Sequence, residues 1–179
     1  FAGKPYIDIR KSLNSFLPEK LPKPIGEKIV NNGIQKLMNE PNLHDKIEFE
    51  LTTTCFSLDF AKRTKFIVPS LRSKEIKKLK EEYLNIFKRN LKDTNQGSLK
   101  YNLKKIESLK LMQKEKIYSI NHDISNLKKI ILDCIEYGII PFSILARHAF
   151  NSREILFSLE RMKILSKNQV RNFSNNIKT

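Results

Sequence analysis

Hydrophobic residues recur every three or four positions along most of this chain, which is the spacing that places them on one face of an α-helix. The clearest stretch is "SKEIKKLKEEYLNIFKRNLK", residues 73–92, where lysine and glutamate occupy the opposite face and Ser73 is suited to cap the helix. The same spacing predicts helices over residues 24–39, 99–118, 124–137 and 142–162, and a short last helix capped by Ser166. Helix therefore dominates the predicted fold.

Two short segments near the N-terminus alternate instead with the period of two that is typical of a β-strand. One is Tyr6–Ile9, which we expect to run into a turn or short helix before Pro18. The other runs through "KIEFEL", where Ile47, Phe49 and Leu51 alternate with charged residues. The β-branched threonines that follow also favour a strand, although a helix could use several of the same apolar residues. We therefore predict a mainly α fold, a helical domain with a small β element near the N-terminus.

Local signals set the expected boundaries in the C-terminal third. Asp123 is placed to cap the helix over 124–137, and Gly138 to close it. Pro141 is suited to the first turn of the next helix. We therefore expect two separate helices on either side of residues 138–141.

Charge divides the chain more sharply than hydrophobicity does. The net charge is +15, and residues 61–119 carry 17 Lys and Arg against 6 Asp and Glu, whereas residues 1–60 carry 8 of each. We predict one domain over residues 1–179 with three parts: a small α/β part (1–60), a basic antiparallel helical hairpin (61–119) and C-terminal helices (120–179). Because the chain opens on Phe1 and ends on a polar segment, we expect it to be excised from a larger multidomain enzyme.

The residues that most often carry chemistry are scattered. Cys55 and Cys134 lie far apart in apolar surroundings, and the three histidines share no ligand spacing with them, so we predict two buried thiols and no metal site. No run approaches the roughly 18 apolar residues of a membrane span, and no secretory signal is visible, so a cytoplasmic protein without membrane contact is expected.

The helix over 142–162 carries Arg147 and His148 side by side. On a helical wheel its apolar residues form one stripe that we expect to be buried, and the opposite stripe is polar and includes Arg147, Glu154 and Arg161. Arg147 can hold a carboxylate or phosphate with its planar fork, or form a link to Glu154 within the helix. For His148 we expect a structural role, because no adjacent carboxylate could orient it as a base.

Three stretches, "PYIDIRKSLNSFLP", "NLHDKIEFELTTTCFSLDF" and "YGIIPFSILARHAFNSREILFSLERMKIL", resemble the central segment of phosphoenolpyruvate synthase-like, pyruvate phosphate dikinase-related phosphotransferases, in particular the glutamine kinase-like subgroup. The resemblance implies an ATP-grasp domain before this segment and a phosphohistidine domain after it, with ATP and Mg²⁺ used by the parent enzyme. The chain itself has no glycine-rich phosphate loop and no histidine in the pattern of the carrier domain. The fragment is therefore expected to hold no cofactor and no catalytic residue.

Under that resemblance, this segment would bind the small-molecule phosphoryl acceptor and connect the moving domains. An amino-acid acceptor such as glutamine has an ammonium for a glutamate, a carboxylate for an arginine and an amide for a polar side chain. The ordinary alternatives are turn caps, solvent-facing residues and surface ion pairs. The candidate substrate-binding residues are Arg10, Ser12, Asn14, Glu48, Glu50 and Arg147.

The alternative class is a basic helical module that binds nucleic acid or an acidic protein partner. The positive charge of residues 61–119 favours it, because neutralised phosphates supply affinity. Lysine outnumbers arginine there and aromatic residues are few, which argues against a base-stacking surface, so nucleic acid is not expected as a partner. A solvated lysine face is the ordinary alternative for this whole class.

Overall fold

The computed structural model describes Gly3 and residues 6–92, 96–117 and 124–176 of the chain. Over these ranges the fold is mainly α, as predicted, and no strand is present. A 3₁₀ turn covers Pro41–Leu43, and π-helical segments cover Ile47–Leu51 and Cys134–Ile139. The helices are α1 (Ile9–Phe16), α2 (Lys23–Asn39), α3 (Phe60–Ile67), α4 (Ser73–Asn90), α5 (Leu99–Ile117), α6 (Ile124–Asp133), α7 (Ile140–Arg161) and α8 (Lys167–Asn175).

The chain divides into two compact units, which we call unit 1 (Phe1–Ile86 with Arg153–Thr179) and unit 2 (Phe87–Ser152). Their boundaries differ from those of the three parts inferred from charge and periodicity. The helices of the expected hairpin, α4 and α5, lie mostly in different units, so their antiparallel pairing stays a prediction.

Unit 1 is built around α2. Ile29 packs into a cluster with Phe60 and Leu79, whereas the next residue, Val30, packs into a second cluster with Leu13. The two clusters use neighbouring positions of one helix, so α2 is covered on two sides. The apolar spacing together with Pro24 predicted the start of α2 to within one residue of that observed.

The predicted strand over residues 47–51 is wrong, because this segment forms a π-helical turn. The turn brings Ile47 and Leu51, four residues apart, to the same cluster on α2, and Leu51 is fully buried there. Side chains from other helices satisfy its backbone: Lys36 Nζ donates to the carbonyl of Glu50 at 3.0 Å, and Arg63 Nη2 donates to that of Phe49 at 2.6 Å. No neighbouring strand is then needed to pair these carbonyls.

The expected strand at Tyr6–Ile9 is also absent from the described structure. Ile9 is the first residue of α1, and Asp8 is its N-cap, whose carboxylate accepts the backbone N–H of Lys11 at 3.0 Å. The segment whose alternation suggested a strand therefore leads directly into α1. Aspartate at this position satisfies an N–H that has no partner inside the helix.

The expected break at Gly138 is wrong as well, because the helical path continues from α6 through the π-helical segment into α7. Ile140 N–H donates to the carbonyl of Ile135, a π-type bond that widens the turn just before Pro141. Proline lacks the N–H for a regular bond and its ring crowds the preceding turn, so a widened turn relieves the clash. Asp123, the predicted cap of α6, lies outside the described residues.

Two other helix starts follow local sequence closely. Ser166 caps α8 as predicted, in a capping box in which Ser166 and Gln169 each accept the other's backbone N–H. For α4 the boundary shifts by one residue: Ser73 is the first helical residue, and Arg72 before it donates its N–H to Glu75 Oε2 at 2.7 Å.

Candidate functional site

Three of the predicted acceptor-binding residues lie on α1. Arg10 is exposed and donates from Nη1 to Asn31 Oδ1 at 3.1 Å, and Asn14 is exposed and donates to the carbonyl of Arg10 at 2.9 Å. Ser12 is half-buried, and its carbonyl accepts the Ser15 hydroxyl at 2.7 Å. Arg10 and Asn14 are thus one helical turn apart on the surface.

The two predicted glutamates lie in the π-helical turn of unit 1. Both are half-buried, and Glu48 lines a cavity of about 10 Å³ together with Thr52, Arg63 and Glu154. That volume holds about one water molecule, so this cavity is too small for an amino acid.

Arg147, the sixth candidate, belongs to unit 2, whereas the other five belong to unit 1. It is half-buried on α7, and its carbonyl accepts the Asn151 amide at 2.8 Å. The neighbouring His148 places Nε2 2.8 Å from the carbonyl of Gly97. Because a carbonyl only accepts, Nε2 carries the proton, and His148 links α7 to the turn before α5. This geometry agrees with the structural role expected for His148.

The prediction of one buried apolar stripe on α7 is wrong. Ala149 and Ser152, which the helical wheel places on that stripe, are exposed in unit 2, whereas Glu154 and Ser158 of the polar stripe are buried in unit 1. The Ser158 hydroxyl accepts the backbone N–H of Leu58 at 3.3 Å, which explains why a serine is favoured at a fully buried position.

An ion-pair cluster extends this polar face to the end of α7. Arg161 donates from Nε to Asp59 Oδ2 at 2.6 Å and from Nη2 to Asp59 Oδ1 at 2.9 Å, and Nη2 also reaches Glu154 Oε2 at 3.1 Å. Burial raises the pKa of the Asp59 carboxyl, but the hydrogen bond and charge of Arg161, together with hydrogen bonds from Ser57 and the backbone, lower that pKa by more. A carboxylate held ionised in this way is a weak proton acceptor, so the cluster is suited to holding α7 rather than to acid–base chemistry.

Cys55 is not set up as a nucleophile. It is 5% exposed beside the same small cavity, and burial raises the pKa of its thiol to about 12, opposed by a hydrogen bond from Thr54. The thiolate is the reactive form, and almost none is present at neutral pH. Burial of Cys55 confirms half of the prediction of two buried thiols, since Cys134 is only half-buried.

One concave surface of unit 2 is lined by apolar residues. An open cavity of about 430 Å³, which we call the groove, lies between α5 and the π-helical segment that leads into α7. Gly138 forms part of its floor, where an added Cβ would lie 3.0 Å from Leu109 Cδ2. The lining residues are Ile106, Leu109, Cys134, Gly138, Ile139 and Phe142.

Apolar side chains are also exposed along the helical path from α6 through the π-helical segment to the start of α7. Leu127, Ile131, Ile135 and Ile139 recur at intervals of four and are all exposed, and Phe142 after them is 68% exposed. In the part of unit 2 that the structure describes, no leucine, isoleucine, methionine, phenylalanine or tyrosine is buried. We call this exposed row and the groove together the apolar face.

The apolar face lies in a basic unit. Residues 87–152 contain 12 Lys and Arg against 6 Asp and Glu. Lys110 follows Leu109 of the groove, and Lys128 and Lys129 lie between Leu127 and Ile131; all three are exposed. Lys105 instead binds Glu136 at 3.3 Å and lies over the Tyr137 ring. The three exposed lysines therefore lie next in sequence to apolar positions that a partner could cover.

Sequence reasoning missed both the ion-pair cluster and the apolar face. Asp59 and Arg161 are 102 residues apart, and nothing in their local sequence pairs them. The helix over residues 124–137 was predicted, but its four-residue apolar spacing was not interpreted as a buried or an exposed face.

Among the described helices none is long and apolar enough to cross a membrane. Within residues 6–92, 96–117 and 124–176 no group of three or more His, Cys, Asp or Glu side chains could hold a metal ion. Comparison of the chain with protein-family models, curated proteins and solved structures finds no match in any of the three.

Proposed function

We propose that this chain is a helical binding module and that the apolar face of unit 2 binds an amphipathic helix of a protein partner whose polar side is acidic. The observation that carries the proposal is the groove of about 430 Å³ in a unit whose described leucines, isoleucines and aromatic residues are all at least partly exposed. Large contiguous apolar surfaces on a folded unit are a mark of interaction sites.

A helix is the partner element whose shape fits best. The exposed row from Leu127 to Phe142 covers fifteen steps of helical chain, roughly 22 Å along the axis. A partner helix of similar length can place apolar side chains at every third or fourth position along it, and one of them in the groove. An extended peptide is a poorer fit, since the described part of unit 2 offers no sheet edge to extend.

The charge of the chain selects among partners. A second copy would bring another basic unit 2, with 12 Lys and Arg against 6 Asp and Glu, to the same surface, whereas an acidic helix could pair with the exposed Lys110, Lys128 and Lys129. Nucleic acid is disfavoured because the rim residues are lysines beside aliphatic side chains rather than arginines beside aromatic rings.

The thiol of Cys134 allows a direct test, because it lines the groove and Cys55 is protected by burial. The probe is a synthetic helical peptide with leucines on one face and glutamates on the other, and its control has lysine at every glutamate. We expect the acidic peptide to bind and to slow modification of Cys134 by a thiol reagent, with weaker binding as salt rises. Equal binding of the two peptides, or binding that leaves the modification rate unchanged, contradicts the proposal.

Two matched variants locate the site. Phe142→Glu changes an exposed residue of the groove, and Phe173→Glu changes an equally exposed residue of α8 in unit 1. We expect Phe142→Glu to weaken binding of the acidic peptide by more than about tenfold, as for a residue at the centre of an interface. Phe173→Glu should leave the affinity unchanged. The same loss in both variants, or tighter binding of anionic vesicles or a DNA duplex than of the peptide, would argue for another partner.

The phosphotransferase resemblance leads to a second proposal, that the chain is the acceptor-binding connector of an ATP-dependent, phosphohistidine-using enzyme. Its support is the exposed pair Arg10 and Asn14, one turn apart on α1, which can offer a guanidinium and an amide to an amino acid. The coding sequence on either side tests it first: an upstream ATP-grasp domain and a downstream phosphohistidine domain are expected, and their absence contradicts it. In such an enzyme Arg10→Ala or Arg147→Ala should abolish acceptor phosphorylation and preserve autophosphorylation from ATP.

A further inference from the structure

We infer that the small polar cavity of unit 1 holds one ordered water molecule, which bridges Thr52, Arg63 and Glu154. All three residues line the cavity, whose volume of about 10 Å³ is close to the minimum that one water occupies. This inference concerns unit 1 and does not depend on the partner proposed for unit 2.

Thr52 supplies the first observation. It is fully buried, and its Oγ1 is the one buried side-chain polar atom without a hydrogen-bond partner among the residues that the structure describes. The neighbouring threonines are paired: Thr54 donates to the carbonyl of Glu48 at 3.1 Å, and the hydroxyls of Thr53 and Thr64 lie 3.4 Å apart. Thr52 lines the cavity, so a water there could supply the partner that its hydroxyl lacks, and buried polar groups in proteins are normally paired with protein or water.

The second observation is the separation between the side chains of Arg63 and Glu154. Arg63 Nε lies 3.9 Å from Glu154 Oε2, beyond hydrogen-bond distance, although both side chains are largely buried, at 18% and 11% exposure. A second nitrogen of the fork is already engaged, since Nη2 donates to the carbonyl of Phe49. A gap of this kind between two charged groups is where a bridging water is expected.

Three hydrogen bonds suit a single water at this position. Its oxygen can accept from Arg63 Nε–H and from the Thr52 hydroxyl, and one of its hydrogens is donated to the Glu154 carboxylate. Three bonds are the usual number for a buried water. The guanidinium disfavours a metal cation in this cavity, and the carboxylate disfavours an anion, so a neutral ligand fits the charges best.

The test compares the wild-type chain with Thr52→Val, which removes the hydroxyl at nearly constant shape. In a crystal structure that resolves ordered waters, we expect density within hydrogen-bond distance of Thr52 Oγ1, Arg63 Nε and Glu154. In solution, the backbone amides of residues 52–54 should show cross-peaks to a long-lived water. Thr52→Val should lower Tm by about 2–4 °C, because the water loses one of its three bonds.

An increase in Tm for Thr52→Val would overturn the inference. If the cavity is dry, Thr52→Val removes an unpaired buried hydroxyl and should raise Tm, and the wild-type structure should show no density there. Density for a chloride or a metal ion would also overturn it. If the variant does not fold, the wild-type crystal structure and the amide cross-peaks decide by themselves.

Discussion

At the scale of single residues, Arg161 makes most of the polar contacts between the end of α7 and the residues just before α3. It holds Asp59 with two bonds and also reaches Glu154, and those two carboxylate side chains are only 8% and 11% exposed. Arg161→Ala leaves both without this cation, so we expect the free energy of unfolding to fall by about 2 kcal/mol in urea titrations. The estimate lies below the value for a fully buried pair because Arg161 is itself 32% exposed.

Arg171→Ala is the matched control for this change, since it removes the same charge from an exposed position of α8. It should alter the free energy of unfolding by less than about 0.5 kcal/mol. Equal effects of the two substitutions would mean that net charge, and not the bonds of Arg161, produces the loss.

The same cluster predicts a dependence on pH. Arg161 holds the pKa of Asp59 below its ordinary value despite burial, so folding favours the ionised form. The stabilisation is therefore complete above the pKa of the unfolded chain, about 3.9, and is lost as pH falls through the lower folded pKa. The difference in unfolding free energy between wild type and Arg161→Ala should shrink steadily below about pH 4. A difference that stays constant down to pH 2 would exclude this linkage.

The polar stripe of α7 shows which residue positions could be predicted from the sequence. The sequence placed Glu154 and Arg161 correctly on one polar stripe of α7, because periodicity needs only local information. It could not show that this stripe packs against residues 58–63, since burial of polar groups requires partners that are distant in sequence. The six candidate acceptor residues were chosen by chemical type alone, and their role stays a prediction.

At the scale of elements, the packing of α2 depends on Gly33. An added Cβ there would lie 3.0 Å from Leu13 Cδ1 and 3.2 Å from the carbonyl oxygen of Leu51, which is backbone and cannot turn aside. Alanine gains about 1 kcal/mol in helix propensity, but overpacking costs about 1–3 kcal/mol. We expect Gly33→Ala to lower the free energy of unfolding by about 1 kcal/mol.

Gly26→Ala is the control on the same helix. Its Cβ would meet only Leu17 Cδ1, the end of a flexible side chain, at 3.0 Å. Alanine at this position should therefore be less damaging than at Gly33 in the same urea titration, and can be stabilising through its higher helix propensity. A larger loss at Gly26 than at Gly33 would show that the backbone contact of Leu51 does not limit the packing of α2.

The sequence predicted best those helices whose ends are set by residues close to one another in the chain. Helix α8 has its capping box within four residues, and α2 has Pro24 in its first turn. The turn over residues 47–51 could not be found in this way, because Lys36 and Arg63 from other helices satisfy its carbonyls. Likewise, Pro141 was taken as a helix start, although a preceding π-helical segment lets the chain pass through it without ending.

At the scale of the whole molecule, burial is distributed unevenly between the two units. Both hydrophobic clusters lie in unit 1, and the apolar face of unit 2 is left accessible. Burial of apolar surface is the main favourable term in folding, so unit 1 should hold most of the stability of the free chain. The mainly α class followed from periodicity, but this imbalance did not, because a helix of the right spacing can face either a core or a partner.

Amide hydrogen exchange measures this imbalance directly. Helices α2 and α5 are both long and regularly hydrogen-bonded, but α2 is packed on two sides, whereas α5 contributes no buried leucine or isoleucine over its described side chains. We expect the slowest amides of α5 to exchange at least about tenfold faster than those of α2, since local opening of α5 exposes less apolar surface. Adding the acidic helical peptide should slow exchange in α5 and leave α2 unchanged, and Phe142→Glu should remove that protection. Equal protection of α2 and α5 in the free chain would mean that unit 2 is as stable as unit 1 and needs no partner to cover its apolar face.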